Sequence, residues 1–260
     1  MLNAVTVDVE EWFDTVLFGG RPAGAESCLP QNVADILYLL EKRGVKATFF
    51  VLGSVAKDHP DTVKAIAAAG HEVASHGATH RSVCRLSPEE FSKSLKDSAE
   101  ELAALTGTRP LGYRAPTFSV LKDEAAFLSA VKAAGYAYDS SLYPLFLSGR
   151  PRAPYTAPCG LREFPPSVFP FAGLGLPFLG GSFLRLLPAA FVAGRLAALN
   201  AAGAPGMLYF HSWEFENGRP ARSGALAAAG QFLNAASVRE KTDFLLREFE
   251  FAPARRVLGL

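Results

Sequence analysis

The chain opens MLNAVTVDVEEWF, where an apolar run leads straight into Asp8, Glu10 and Glu11. Carboxylates this close repel one another unless a cation or a proton lies between them. If the run is a strand, residues two apart share a face, so Asp8 and Glu10 point together while Val7 and Val9 point away. One of that pair suits a metal ion and the other suits proton abstraction from water; Glu11, on the opposite face, is the weaker ligand. HGATH then sets His76 and His80 four residues apart, and on a helical turn both imidazoles face one side and can grip one ion. Alone, such a pair is more often solvated or core histidines. A carboxylate brought from another segment changes the balance, because two imidazoles and one carboxylate leave a coordination position open for water, as in catalytic rather than structural sites. The donor types predict one divalent metal, with Zn2+ first and Co2+, Ni2+ or Fe2+ compatible.

These groups need a scaffold that converges them, and the sequence repeats one. VADILYLLEKRG precedes VKATFFVLG, DTVKAIAAAG precedes HEVAS, AAFLSAVKAAG precedes YAYDS, and AAFVAGRLAALNAAG precedes APGMLYF. Each reads as a helix closed by glycine and followed by a short strand. SPEEFSKSLKDSAEELAALTG carries a capping box, with Ser87 as N-cap, Pro88 in the first turn and Glu90 three residues on; SVREKTDFLLREF repeats the signature with Ser237 and Glu240. Alternating elements predict an α/β fold, a distorted (β/α) barrel of about seven parallel strands. No GxGxxG follows the first strand, which argues against a dinucleotide-binding sheet. We read residues 1–260 as one domain, with a long irregular excursion over 144–186 and a helical extension over 231–260. The excursion holds one short strand-like piece near REFPPS and forms either plain surface or a cleft wall.

In barrels of this kind, chemistry gathers at the C-terminal ends of the strands. Here AVTV ends in Asp8, HEVAS in His76, LGY in Arg114, YAY in Asp139 and MLYF in His211. Core or surface filling does not explain ionisable groups at each of those ends. His71 at a strand start and His59 before Pro60 read as structural.

Composition sets outer bounds. The chain has 260 residues, 49% hydrophobic and 20% charged, with a formal net charge of +1, so no global field points to nucleic acid. Cys28, Cys84 and Cys159 are scattered, form no CxxC and suit a reducing compartment rather than a disulfide framework. The absence of a basic-then-apolar leader leads us to expect a cytoplasmic protein, and no apolar run reaches membrane-spanning length. The oligomeric state is not readable.

Taken in order, VTVDVEEWF, ATFFVLG, GHEVASHGATH, GYRAPTFS, YDSSLYP, EFPPS, GGSFLRLLP and YFHSWE resemble the polysaccharide deacetylase family. These are metal-dependent carbohydrate esterases sharing the nodulation-deacetylase domain. The chain is most similar to the branch associated with bacterial exopolysaccharide and exosortase clusters, including its C-terminal QFLNAASVREKTDFLLREFEFAP. The resemblance implies removal of N-acetyl groups from the amino sugars of a bacterial oligo- or polysaccharide. It implies Asp8 as base, His76 and His80 as metal ligands, Arg114 as the arginine that orients the base, His211 as the acid that protonates the departing amine, and Asp139 as the support of that histidine. One departure stands out: the family's commonest pattern has adjacent aspartates, whereas Val9 follows Asp8, so Glu10 supplies the ligand on a longer arm. A backbone N–H near Thr117 would help hold the oxyanion. In HSWE, Trp213 is suited to a sugar face and Glu214 to tuning His211, or either to structure alone. Two rivals stand beside this reading: hydrolysis of a non-carbohydrate amide or cyclic ureide on the same barrel, and a glycan-binding relative without chemistry.

Overall fold

A computed structural model describes residues 1–14, 21–22, 24–120, 123–146, 148–215 and 233–260. The strands, in chain order, are β1 (Asn3–Val9), β2 (Thr48–Val51), β3 (Glu72–Ser75), β4 (Gly112–Tyr113), β5 (Tyr138–Asp139), β6 (Tyr155–Thr156), β7 (Arg162–Glu163), β8 (Val168–Phe171), β9 (Leu174–Pro177), β10 (Met207–His211) and β11 (Phe251–Ala252). Among the described residues, nine of them form one sheet in the order β10-β1-β2-β3-β4-β5-β7-β6, with β11 on β1. Every neighbour along β10 to β7 pairs in parallel, and only the last pair, β6 with β7, is antiparallel. The sheet curls into an open, distorted barrel.

Period-two alternation sorts the side chains. Val5, Val7 and Val9 of β1, Phe49 and Val51 of β2, and Leu208 and Phe210 of β10 join the core beneath the outer helices. The helix Leu29–Lys42 contributes Val33, Ile36, Leu39 and Leu40 to that layer at helical spacing. The opposite faces turn inward, where Ala4, Phe50, Ala74, Tyr138 and Met207 pack together below the site. Thr6 and Asp8 share that inner parity and are fully or almost fully buried. A polar group placed inward at a strand end must find polar partners there, because its burial is otherwise costly.

The capping box on the helix Pro88–Thr106 forms: Ser87 Oγ accepts from Glu90 N–H at 3.2 Å, and Glu90 Oε2 accepts from Ser87 N–H at 2.8 Å. The second expected box does not. The helix Ser237–Glu248 has no side-chain cap, because Ser237 is its first helical residue and Ala236, with no polar side chain, takes the N-cap position; Ser237 Oγ donates to Asn234 O at 2.8 Å. Residues 231–232 of the expected extension lie outside the described residues.

The stretch 144–186 is more regular than its composition suggests. It holds β6 and β7, the latter at REFPPS as expected, then the β8–β9 hairpin and the helix Gly181–Leu186. Proline and glycine do not prevent pairing here: Pro170 and Gly175 sit inside β8 and β9 as direct register partners. Gly180 lies beside β10, where a Cβ would meet the Tyr209 ring at 2.1 Å; only glycine permits that approach. No described helix is long and apolar enough to cross a membrane.

Candidate active site

Parallel pairing in register makes Asp8 and His211 direct partners at the ends of adjacent strands. Arg114 follows β4 and is fully buried. Its Nη1 donates to Asp8 Oδ1 at 2.7 Å and to Thr6 Oγ1 at 3.0 Å, while Nη2 reaches Ser140 Oγ at 3.0 Å and Nε reaches Ser140 O at 3.3 Å. The guanidinium also lies 4.0 Å from the centre of the Phe50 ring. So held, Arg114 fixes the orientation of the Asp8 carboxylate.

Glu10, His76 and His80 offer ligand atoms that all fall within 4.8 Å of one another. The histidines converge through a bend rather than the expected helical turn. Gly77, at φ +86°, turns the chain directly after β3 and brings the two rings to 5.6 Å. His76 Nδ1 lies 2.9 Å from Arg114 O, a contact that requires Nδ1 to carry the proton and leaves the Nε2 lone pair facing Glu10. Burial pulls His76 down to about 4, so the ring is neutral, as a metal ligand must be. Burial would raise the Glu10 carboxyl, but His80, His211 and His76 outweigh it and hold it well below the usual carboxylate range. Glu10 Oε2 is buried 2.7 Å from His80 Nε2 and 3.8 Å from His76 Nε2, yet no well-directed hydrogen bond reaches it among the described residues. A buried, ionised oxygen beside two imidazole nitrogens fits a divalent cation.

The segment His211–Glu214 serves both halves of the site. Ser212 Oγ accepts from Glu10 N–H at 3.2 Å and donates to Glu10 O at 2.8 Å. Trp213 Nε1 donates to Glu10 Oε1 at 3.0 Å, and its ring stacks on His211 at 5.1 Å and 15°. Trp213 is only 5% exposed, so it positions Glu10 instead of offering its face to a sugar. Glu214 Oε2 accepts from His211 Nδ1 at 3.0 Å and from His211 N–H at 2.8 Å. Burial opposes the charged imidazole, but Glu10, Glu214 and Asp8 overcome it and push His211 up to about 9.

Asp139 is not brought to His211. Its Oδ1 accepts from Ser141 Oγ at 2.7 Å and its Oδ2 from Ser141 N–H at 2.9 Å, and the Glu163 carboxyl stands beside it. Burial raises both carboxyls, Glu163 well above its ordinary range because Asp139 stands beside it. Their effect on the site is indirect: they hold the turn whose Ser140 grips Arg114 and whose Ser141 accepts from Ala115 N–H at 2.8 Å. The support expected from Asp139 comes from Glu214, since three residues along the chain reach the ring where a strand five places across the sheet does not. Thr117 is exposed, with φ 57°, on the rim of a groove of about 460 Å3 lined also by Phe118, Tyr143 and Arg150.

Glu11 turns away from the cluster to His59, 3.2 Å distant. His71 Nδ1 accepts from Ala47 N–H at 3.1 Å, and neither of these histidines joins the Glu10 cluster. Ser140, Ser212 and Arg185 also hold the site, and no motif in the sequence marks the two serines. Arg185 leaves a trace in SFLRLLP, one cation in an apolar helix, and its Nε lies 3.2 Å from Glu214 Oε1.

Residues 18–138 match the sequence family described as Polysaccharide deacetylase, and residues 140–259 match a Domain of unknown function (DUF3473). The chain is 40% identical over 75 residues to a chitooligosaccharide deacetylase of Rhizobium leguminosarum bv. trifolii, covering 29% of this chain and 35% of that protein. It is 34% identical over 89 residues to a peptidoglycan-N-acetylglucosamine deacetylase of Bacillus cereus, covering 34% of this chain and 32% of that protein. These matches thus span about a third of each relative's length. A candidate polysaccharide deacetylase of Mycobacterium smegmatis superposes over 99% of this chain and 88% of its own, with a TM-score of 0.68 and 26% identity. On its ordered motifs and these matches, the segment 18–138 belongs to the polysaccharide deacetylase family, and the whole chain shares its fold with a solved relative.

Proposed function

We propose that the protein is a metal-dependent hydrolase that removes N-acetyl groups from amino sugars of a bacterial oligo- or polysaccharide, an exopolysaccharide precursor being the preferred substrate class. The observation that carries the reading is the convergence of a Glu10/His76/His80 cluster, an arginine-held carboxylate and a carboxylate-held histidine at one end of the barrel. Glu10, His76 and His80 would hold the cation, Zn2+ being favoured by the donor set. When bound, such an ion polarises a carbonyl and lowers the pKa of water.

The residues of the chain divide the remaining work. Arg114 aims Asp8, which takes the proton of the attacking water. A backbone N–H near Thr117 adds a donor for the developing oxyanion. His211, cationic at neutral pH, stands opposite through its Nε2 while Glu214 holds Nδ1. An amide needs such an acid, because an amine anion does not leave in water. A protein that only bound glycan would have no use for this paired base and acid.

The test is metal content together with acetate release from N-acetylglucosamine oligomers, for wild type and His76→Ala. We expect about one metal per chain and acetate release in the wild type, with both lost in the variant. Metal without acetate release would move the search to other amides. Failure to bind zinc or cobalt at all would overturn the catalytic reading.

A further inference from the structure

Glu214 is fully buried, and only one of its oxygens is occupied by His211. Its other oxygen, Oε1, receives no well-directed hydrogen bond among the described residues; what faces it is Arg185 Nε at 3.2 Å. Arg185 is 5% exposed and comes from the helix Gly181–Leu186, in the half of the chain matched only to a domain of unknown function. Its Nη2 donates to Ser182 Oγ at 2.8 Å, and its guanidinium lies 5.4 Å from the centre of the Trp213 ring. That ring is the one stacked on His211. The arginine backbone is tied down as well: Arg185 O accepts from Asn234 Nδ2 at 2.6 Å and from Lys241 Nζ at 2.7 Å. A buried cation with this many anchors is costly unless it has a fixed counter-charge. Glu214 is that counter-charge.

We propose that Arg185 is a positioning residue for the proton donor. By clamping Glu214 it holds the His211 ring with Nδ1–H on Glu214 and presents Nε2–H to the leaving nitrogen. This rests on the deacetylase reading. As the C–N bond breaks, its electron pair stays on nitrogen, the Nε2 proton passes to that nitrogen, and His211 returns neutral with Nδ1–H still on Glu214. Without Arg185, Glu214 is free to swing from the ring, and the acid loses its aim while Asp8, Arg114 and the metal ligands keep theirs.

Arg185→Gln and Arg185→Lys test this on two substrates. N-acetylglucosamine oligomers release an amine that needs a proton, whereas 4-nitrophenyl acetate releases a phenolate that does not. For Arg185→Gln we expect kcat on the oligomers to fall about 10- to 100-fold, ester hydrolysis to fall less than about threefold, and metal content to hold. Arg185→Lys recovers part of the amide rate. Equal loss on both substrates with metal retained would overturn the proposal in favour of a merely structural arginine, and so would an unchanged amide rate. If the glutamine variant does not fold, the lysine variant decides by the same amide-to-ester ratio. A wild type that releases no acetate from any amide would refute the deacetylase reading instead. The proposal is then judged by 15N NMR of the imidazoles, where a His211 Nδ1–H signal equally sharp in wild type and Arg185→Gln would overturn it.

Discussion

Trp213→Phe isolates the contact that ties the metal cluster to β10. Phenylalanine keeps an aromatic face against His211, now stacked at 5.1 Å, and removes the 3.0 Å donation from Nε1 to Glu10 Oε1. Glu10 is 2% exposed, so water does not readily replace the lost donor. A hydrogen bond to a buried charge contributes about 1.5–3 kcal/mol, which corresponds to about 10- to 150-fold in an equilibrium constant. If that hydrogen bond aligns Glu10 as a ligand, the loss appears in metal affinity. The assay is competition with a chromophoric chelator, giving Kd for zinc in wild type and variant, with circular dichroism confirming the fold. We expect weakening within that range. A Kd within about threefold of wild type, in a folded variant, would refute the reasoning, since it lies well below the smallest effect that a hydrogen bond to a buried charge predicts.

Metal-free protein loses stability as pH rises through the His211 transition: its folded value of about 9 exceeds the ordinary 6.5, so the contribution is full below about 6.5 and gone above about 9. Urea midpoints across that window should fall in wild type and stay flatter in His211→Gln. Glu163→Gln removes a carboxyl raised well above 4.5 by burial and by Asp139, and so should cost little at pH 5 and relieve wild-type destabilisation at alkaline pH. A large loss of stability at pH 5 would contradict a Glu163 carboxyl that burial and Asp139 hold in its neutral form. Phe50→Leu takes away the ring under Arg114 and should destabilise by about 1–2 kcal/mol in chemical denaturation, with a loss of activity as Arg114 loosens.

Much of this is legible in the sequence. The inward parity of Asp8 and Glu10, set against Val7 and Val9, follows from strand geometry and held in the sheet. The Ser87 capping box and the REFPPS strand were readable for the same reason: each depends on residues close in the chain. What failed depended on how the chain turns into and out of each element. Ser237 has the signature of a cap, but Ala236 takes the N-cap position and the Ser237 hydroxyl donates to Asn234 O. HGATH looked helical, yet the chain leaving β3 must turn at Gly77 to bring both rings over Glu10. The long stretch 144–186 looked irregular because its strands are too short to show alternation.

The acids and bases at the strand ends, and hence the chemistry open to this protein, were determined by sequence alone, because a parallel barrel carries every strand end to one rim. Which carboxylate serves which histidine was decided only by tertiary structure. Asp139 and Glu214 are equivalent candidates on paper. In the fold, Asp139 is spent on Glu163 and Ser141, deep beneath Arg114, while Glu214 folds back on the strand end that carries His211 and meets Arg185 from another helix. Burial permits no charge without a partner, and partners are a matter of distance in space, which the order of residues does not contain.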